Sequence, residues 1–83
     1  MYQIELSKEA EGQLQKFPQD LQTRIISSLE RIKIRPYHFV KKKVGSPYFI
    51  LRIGDYRAIV RIDQNKKIVF VVEFGNRKNI YGT

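Results

Sequence analysis

An 83-residue chain with sixteen lysines and arginines against eight acids carries a formal charge of +8, a single histidine and no cysteine. The absence of thiols excludes disulfide staples, thiolate metal sites and cysteine nucleophiles, and one histidine cannot supply a two-histidine acid–base pair. A chain this short is one domain, residues 1–83, that buries only about 60% of its unfolded surface. No apolar run approaches the roughly 20 residues of a membrane span, so no membrane partner is expected.

Position sharpens the charge. Residues 1–30 carry a net −2, whereas residues 31–83 carry +10. A one-sided positive field of this size favours a polyanion, with nucleic acid as the first candidate. The opening Met1-Tyr-Gln-Ile-Glu-Leu6 has an acid and no basic lead, unlike a signal peptide, so the cytoplasm is the expected location.

In chain order, Tyr2-Gln-Ile-Glu-Leu6 alternates apolar and polar residues, as a half-buried strand does. Ser7 stands at an N-cap position, with Glu9 and Glu11 in the first turns that follow. Ala10, Leu14 and Phe17 form one helical stripe. Pro18 ends that helix and is placed to open the next at its first position. Leu21, Ile25, Leu29 and Ile32 form a second stripe, stopped by Pro36. Tyr37 to Gly45 has no clean period and contains Lys41-Lys-Lys43. Strands resume at Tyr48.

Gly54-Asp55 is a two-residue hairpin turn. If Ile53 and Tyr56 close it, Arg52 lies opposite Arg57 and Tyr48 opposite Arg61, all on one face with Ile50 and Ile59. The other face then presents Phe49, Leu51 and Ile53 against Val60, Ala58 and Tyr56, and receives the helices. Like charges directly opposite are destabilising by roughly 0.2–1 kcal/mol. The arginine group therefore implies a bound anion, or pairing with Asp55 and Asp63 on the same side. Asp63-Gln-Asn-Lys66 reads as a second turn into Lys67-Ile-Val-Phe-Val-Val72, apolar on both faces like a central strand. The fold class is α+β: strand, two-helix hairpin, then a three-stranded antiparallel meander (β-α-α-β-β-β), with helices on one face. Phe39 and Phe49 are expected in the core, and His38 in a structural or surface role.

The opening Tyr2-x-Ile-x-Leu-Ser7-x-x-Ala10, the hairpin Leu51-Arg-x-Gly-x-Tyr-Arg57 and the closing Gly75-x-Arg77-x-x-x-Tyr81 together resemble the RelE/ParE toxins of prokaryotic toxin–antitoxin operons, across essentially the whole chain. The family divides into ribosome-dependent mRNA endonucleases of RelE type and gyrase poisons of ParE type, which fold alone does not separate. The resemblance to RelE implies catalytic roles for Arg57 and Arg77 at the scissile phosphate and for Tyr81 at the reacting nucleotide. It also implies attack by the messenger's 2′-hydroxyl without metal or other cofactor. Lys41, Lys42, Lys43, Arg52, Arg61 and Lys78 are the expected RNA-binding residues. Implied partners are an acidic, RelB-like antitoxin in a hetero-oligomer, the ribosome and mRNA. The sequence departs from the RelE pattern at Tyr48 and Ile50, where well-studied relatives carry lysines, one of them a candidate base.

Overall fold

The computed structural model describes residues 1–76. They form β1 (Gln3–Leu6), α1 (Lys8–Lys16), α2 (Gln19–Ile32), α3 (Pro36–Phe39), β2 (Val40–Lys42), β3 (Phe49–Ile53), β4 (Tyr56–Asp63) and β5 (Ile68–Asn76). The strands make one sheet in the order β1-β5-β4-β3-β2. β1 runs parallel to β5, and the other pairings are antiparallel.

The expected cap is present: the Ser7 hydroxyl accepts the Ala10 N–H at 2.9 Å. Pro18 sits one position earlier than expected, as the N-cap of α2 rather than its first helical residue. The Gln22 side chain donates to the Phe17 carbonyl at 3.0 Å and holds the corner between the two helices. Ala10, Ile25, Leu29 and Ile32 face Leu51, Ile53, Ala58, Val60, Val69, Val71 and Phe74 in one core. α1 packs on β5 and α2 on β3.

The hairpin register is the expected one, with Ile53 opposite Tyr56 and Arg52 opposite Arg57. Gly54 adopts φ +59°, a left-handed conformation that an L side chain rarely takes. The strand count differs from expectation. Pro36 does not merely stop α2; it opens the one-turn helix α3. The aperiodic stretch after it yields β2, an edge strand paired to β3 through Val40–Leu51, Lys41–Ile50 and Lys42–Phe49. One turn of helix and three residues of strand are too short to leave a period, and β2 exists because β3 offers it an edge to pair with.

A bulge interrupts the β4–β5 ladder. Ile59 pairs with Glu73 but Val60 pairs with Val71, which leaves Val72 as the extra residue. The strand's parity flips there, so Val69, Val71 and Phe74 all reach the core although their spacing is two and then three. Residues from α1's end of the fold hold the bulge. Ser7 bonds to the Val72 carbonyl, and the Gln13 amide clasps both Phe74 backbone groups, accepting its N–H at 2.7 Å and donating to its carbonyl at 2.8 Å.

Candidate functional site

Strand alternation puts Ile50, Arg52, Arg57, Ile59 and Arg61 on the face turned away from the helices. Arg57 lies on β4 between two neighbouring strands and is only 6% exposed. Arg52, its cross-strand partner, is exposed. Both line a cleft of about 420 Å³ together with Phe39, Lys41, Lys42, Lys43, Val44 and Ile50. That size falls in the roughly 300–1,000 Å³ range of ligand sites. Arg57 forms its floor, and the cations of β2 and Arg52 stand around it.

β2 explains how the lysine run joins the arginines. Lys41 pairs with Ile50, and the Lys43 N–H donates to the Tyr48 carbonyl at 2.9 Å. The two positions where the resemblance called for lysine thus each have a lysine directly across the ladder, one strand over. Lys42 points to the opposite side, with its Nζ 5.0 Å from the Phe49 ring centroid. There it makes a cation–π contact while still contributing to the cleft wall.

One expectation needs correction. Phe39 is not in the core; it is 42% exposed and lines the cleft beside Arg52 and Arg57. Its helix is one turn long and delivers its ring to the mouth of the sheet rather than under α2. The clue in the sequence was an aromatic two residues before a lysine run, a pairing suited to base stacking over a phosphate track. Phe49 does pack against the core, half-buried, with Tyr37 edge-on to it at 5.6 Å. Arg61 is on the arginine face, as expected, but does not line this cleft. It borders a separate pocket of about 480 Å³ at the β4–β5 turn with Asp63, Lys66 and Phe70.

Among the described residues neither Asp55 nor Asp63 forms an ion pair with Arg52 or Arg61. Asp63 Oδ1 accepts the backbone N–H groups of Asn65 and Lys66 at 3.0 and 2.9 Å and shapes its own turn. Among the described residues the ion pair is Lys33 with Glu30, on α2 and away from the cleft. Desolvation, with smaller contributions from Tyr2 and Asp63, raises the Tyr37 phenol above its ordinary 10.0. His38 is exposed, its ring edge-on to Phe39 at 4.9 Å. Among the described residues no three His, Cys, Asp or Glu side chains gather where a metal would bind, and no helix is long and apolar enough to cross a membrane. Arg77, Lys78 and Tyr81 lie outside the described residues.

A mixed five-stranded sheet with helices on one face and a cationic cleft on the other defines a small toxin fold of the RelE kind. The sequence profile of the ParE toxin of type II toxin–antitoxin systems (parDE) matches residues 4–81, and the chain belongs to that family. No curated protein sequence matches it significantly. Among solved structures it is similar to the RelE–RelB complex of Pyrococcus horikoshii OT3, at 23% identity, TM-score 0.80, and 92% and 94% coverage of this chain and that one. The RelBE toxin–antitoxin complex of Mycobacterium tuberculosis gives 22% identity, TM-score 0.81, and 92% and 98% coverage. The isolated E. coli RelE toxin gives 17% identity, TM-score 0.80, and 99% and 93% coverage. The protein is therefore a toxin of a type II toxin–antitoxin system with the RelE/ParE fold.

Proposed function

We propose that this toxin is an endoribonuclease of RelE type that cleaves mRNA in the ribosome. The observation supporting the reading is the convergence of Arg57, Arg52, Lys41 and Lys43 with the exposed Phe39 in one cleft. A phosphodiester needs a donor fork at its equatorial oxygens and a surface for the adjacent base, and this cleft supplies both. In the reaction the 2′-oxygen attacks the neighbouring phosphorus, the bond to the 5′-oxygen breaks, and a 2′,3′-cyclic phosphate and a 5′-hydroxyl result. Arg57, fixed on a central strand, stabilises the charge that grows on the phosphoryl oxygens. Arg77 assists at the phosphate or leaving group, and Tyr81 acts on the reacting nucleotide as stack or proton acceptor. Guanidinium groups hold their protons too tightly to be that acceptor. Lys41 on β2 and Lys43 just after it replace the positive charge that is missing at Ile50 and Tyr48 across the ladder. The test is incubation of the toxin with programmed ribosomes, which should yield messenger fragments ending in cyclic phosphate.

Apolar Ile50 on β3 and phenolic Tyr48 just before it, together with the matched family, favour a second reading: a ParE-like binding protein that poisons DNA gyrase without chemistry of its own. Expression of the chain separates the two. Immediate loss of translation belongs to the ribonuclease, and induction of DNA-damage signalling belongs to the gyrase poison.

Under either reading the toxin is held by a cognate acidic antitoxin in a hetero-oligomer. The +10 net charge of residues 31–83 and a small core suit a partner that folds on binding. The partner should raise the toxin's melting temperature with concentration.

A further inference from the structure

Arg52 borders not one cavity but three. Besides the cleft, it lines a small gap of about 70 Å³ with Ser28, Arg31 and Phe39. It also lines a trough of about 460 Å³ that continues along α2 past Ser27 and Arg24 to Asp20. The three are contiguous, since each shares residues with the next. Arg24, Ser27, Ser28 and Arg31 recur at helical spacing and make one stripe on α2, beside its buried stripe of Ile25, Leu29 and Ile32. At the trough's floor Arg24 closes over the β3–β4 turn, its Nη1 3.0 Å from where a Cβ on Gly54 would stand.

The stripe offers donors and little else. Arginine and serine side chains are the groups that hold phosphate oxygens along a backbone, and the acids near the stripe, Asp20 and Asp55, both lie at its Arg24 end, away from Arg31 and the cleft. Among the described residues none of Arg24, Arg31 and Arg52 is engaged in an ion pair. The exposed apolar Ile26, which an amphipathic protein helix would seek, lies on the opposite flank of α2.

We infer that the polynucleotide path does not end at the cleft: an RNA strand leaves it over Arg52 and runs along α2, its phosphates held by Arg31, Ser28, Ser27 and Arg24. This rests on the reading of the cleft as an RNA site and extends it by roughly 10 Å, the length of two helical turns. The stripe binds backbone and reads no sequence, so its contribution is affinity and a direction of exit.

The test measures binding of the full chain to single-stranded RNA oligonucleotides of about 4 and about 16 nucleotides, lengths that bracket known single-strand sites. The variants are Arg24→Gln with Arg31→Gln, the same pair changed to lysine, and Arg57→Ala. Glutamine keeps helix propensity near that of arginine, and denaturant melts of each variant confirm the fold. The glutamine pair should weaken the long oligonucleotide about tenfold and lower its salt slope by about 1.4, the value for two single-strand phosphates. The short one should be unaffected, and the lysine pair should restore most of the slope. Wild-type binding of the long oligonucleotide by the glutamine pair overturns the track, while loss of short-oligonucleotide binding in Arg57→Ala leaves the cleft reading standing. Failure of the wild type to bind either length overturns both. If the glutamine pair loses affinity for polyglutamate and not for RNA, the stripe is a protein-docking strip and the inference is wrong.

Discussion

Arg52 and Arg57 face each other across the β3–β4 ladder, one exposed at the rim of the cleft and the other 6% exposed at its floor. Two cations in this relationship repel, by roughly 0.2–1 kcal/mol. The expected consequence is a trade between stability and binding. Arg52→Gln should stabilise the fold by up to about 1 kcal/mol while weakening RNA binding and flattening its salt dependence. Paired urea melts and salt titrations measure both; a loss of stability in Arg52→Gln would mean that the pair is not repulsive.

Lys41 and Lys43 are expected to act together, because Lys41 pairs with Ile50, Lys43 bonds to the adjoining Tyr48, and both line the same wall. Changing both to glutamine should lower RNA affinity at least about tenfold and reduce the single-strand salt slope by about 1.4. Lys66→Gln, in the separate pocket at the β4–β5 turn, should change neither. Filter binding at several salt concentrations compares them.

Gln13 closes the β5 bulge through both backbone groups of Phe74, itself 2% exposed. Gln13→Ala leaves a buried N–H and carbonyl without that partner, at a cost of about 1–3 kcal/mol. The amide hydrogen of Phe74 should exchange faster in the variant. Unchanged exchange there would show that the clasp does not hold the bulge.

Tyr37 gives a prediction at alkaline pH. Its folded-state pKa lies above 10.0, so the native state keeps the proton when the unfolded chain has released it. That contribution is complete below the unfolded value and is lost as pH rises through the folded one. Tyr37→Phe should flatten the decline of stability above about pH 10 and leave neutral-pH behaviour alone.

How much of this was legible in the sequence depended on whether a local signal existed. The β3–β4 register was, because Gly54-Asp55 admits only a tight turn and the two faces differ sharply in polarity. The cap at Ser7 and both helix stripes were legible for the same reason. The β5 bulge was not: Ile68 to Val72 is apolar at every position, so no alternation remained to reveal a parity change. Phe39 looked like core because an aromatic between Pro36 and a lysine run has no period to place it. Arg24 was hidden by arithmetic, since it belongs to the net-negative half of the chain and only tertiary packing carries it to the Gly54 turn.

The core is small, and Ile25 and Ile32 are among its largest fully buried side chains. Ile25→Ala should cost about 2–5 kcal/mol, a large share of the stability a domain of this size has. Thermal melts should show the free variant largely unfolded near physiological temperature and rescued by an antitoxin.

The most direct measurement is cleavage of ribosome-bound mRNA by the wild type, Arg57→Lys and Arg57→Ala under single-turnover conditions. With Arg57 stabilising the phosphoryl charge, the alanine variant should be slower by about 10²- to 10³-fold. Lysine, a point charge without the fork, should fall between. Equal rates for wild type and Arg57→Ala, or no cleavage by the wild type at all, would contradict the ribonuclease assignment.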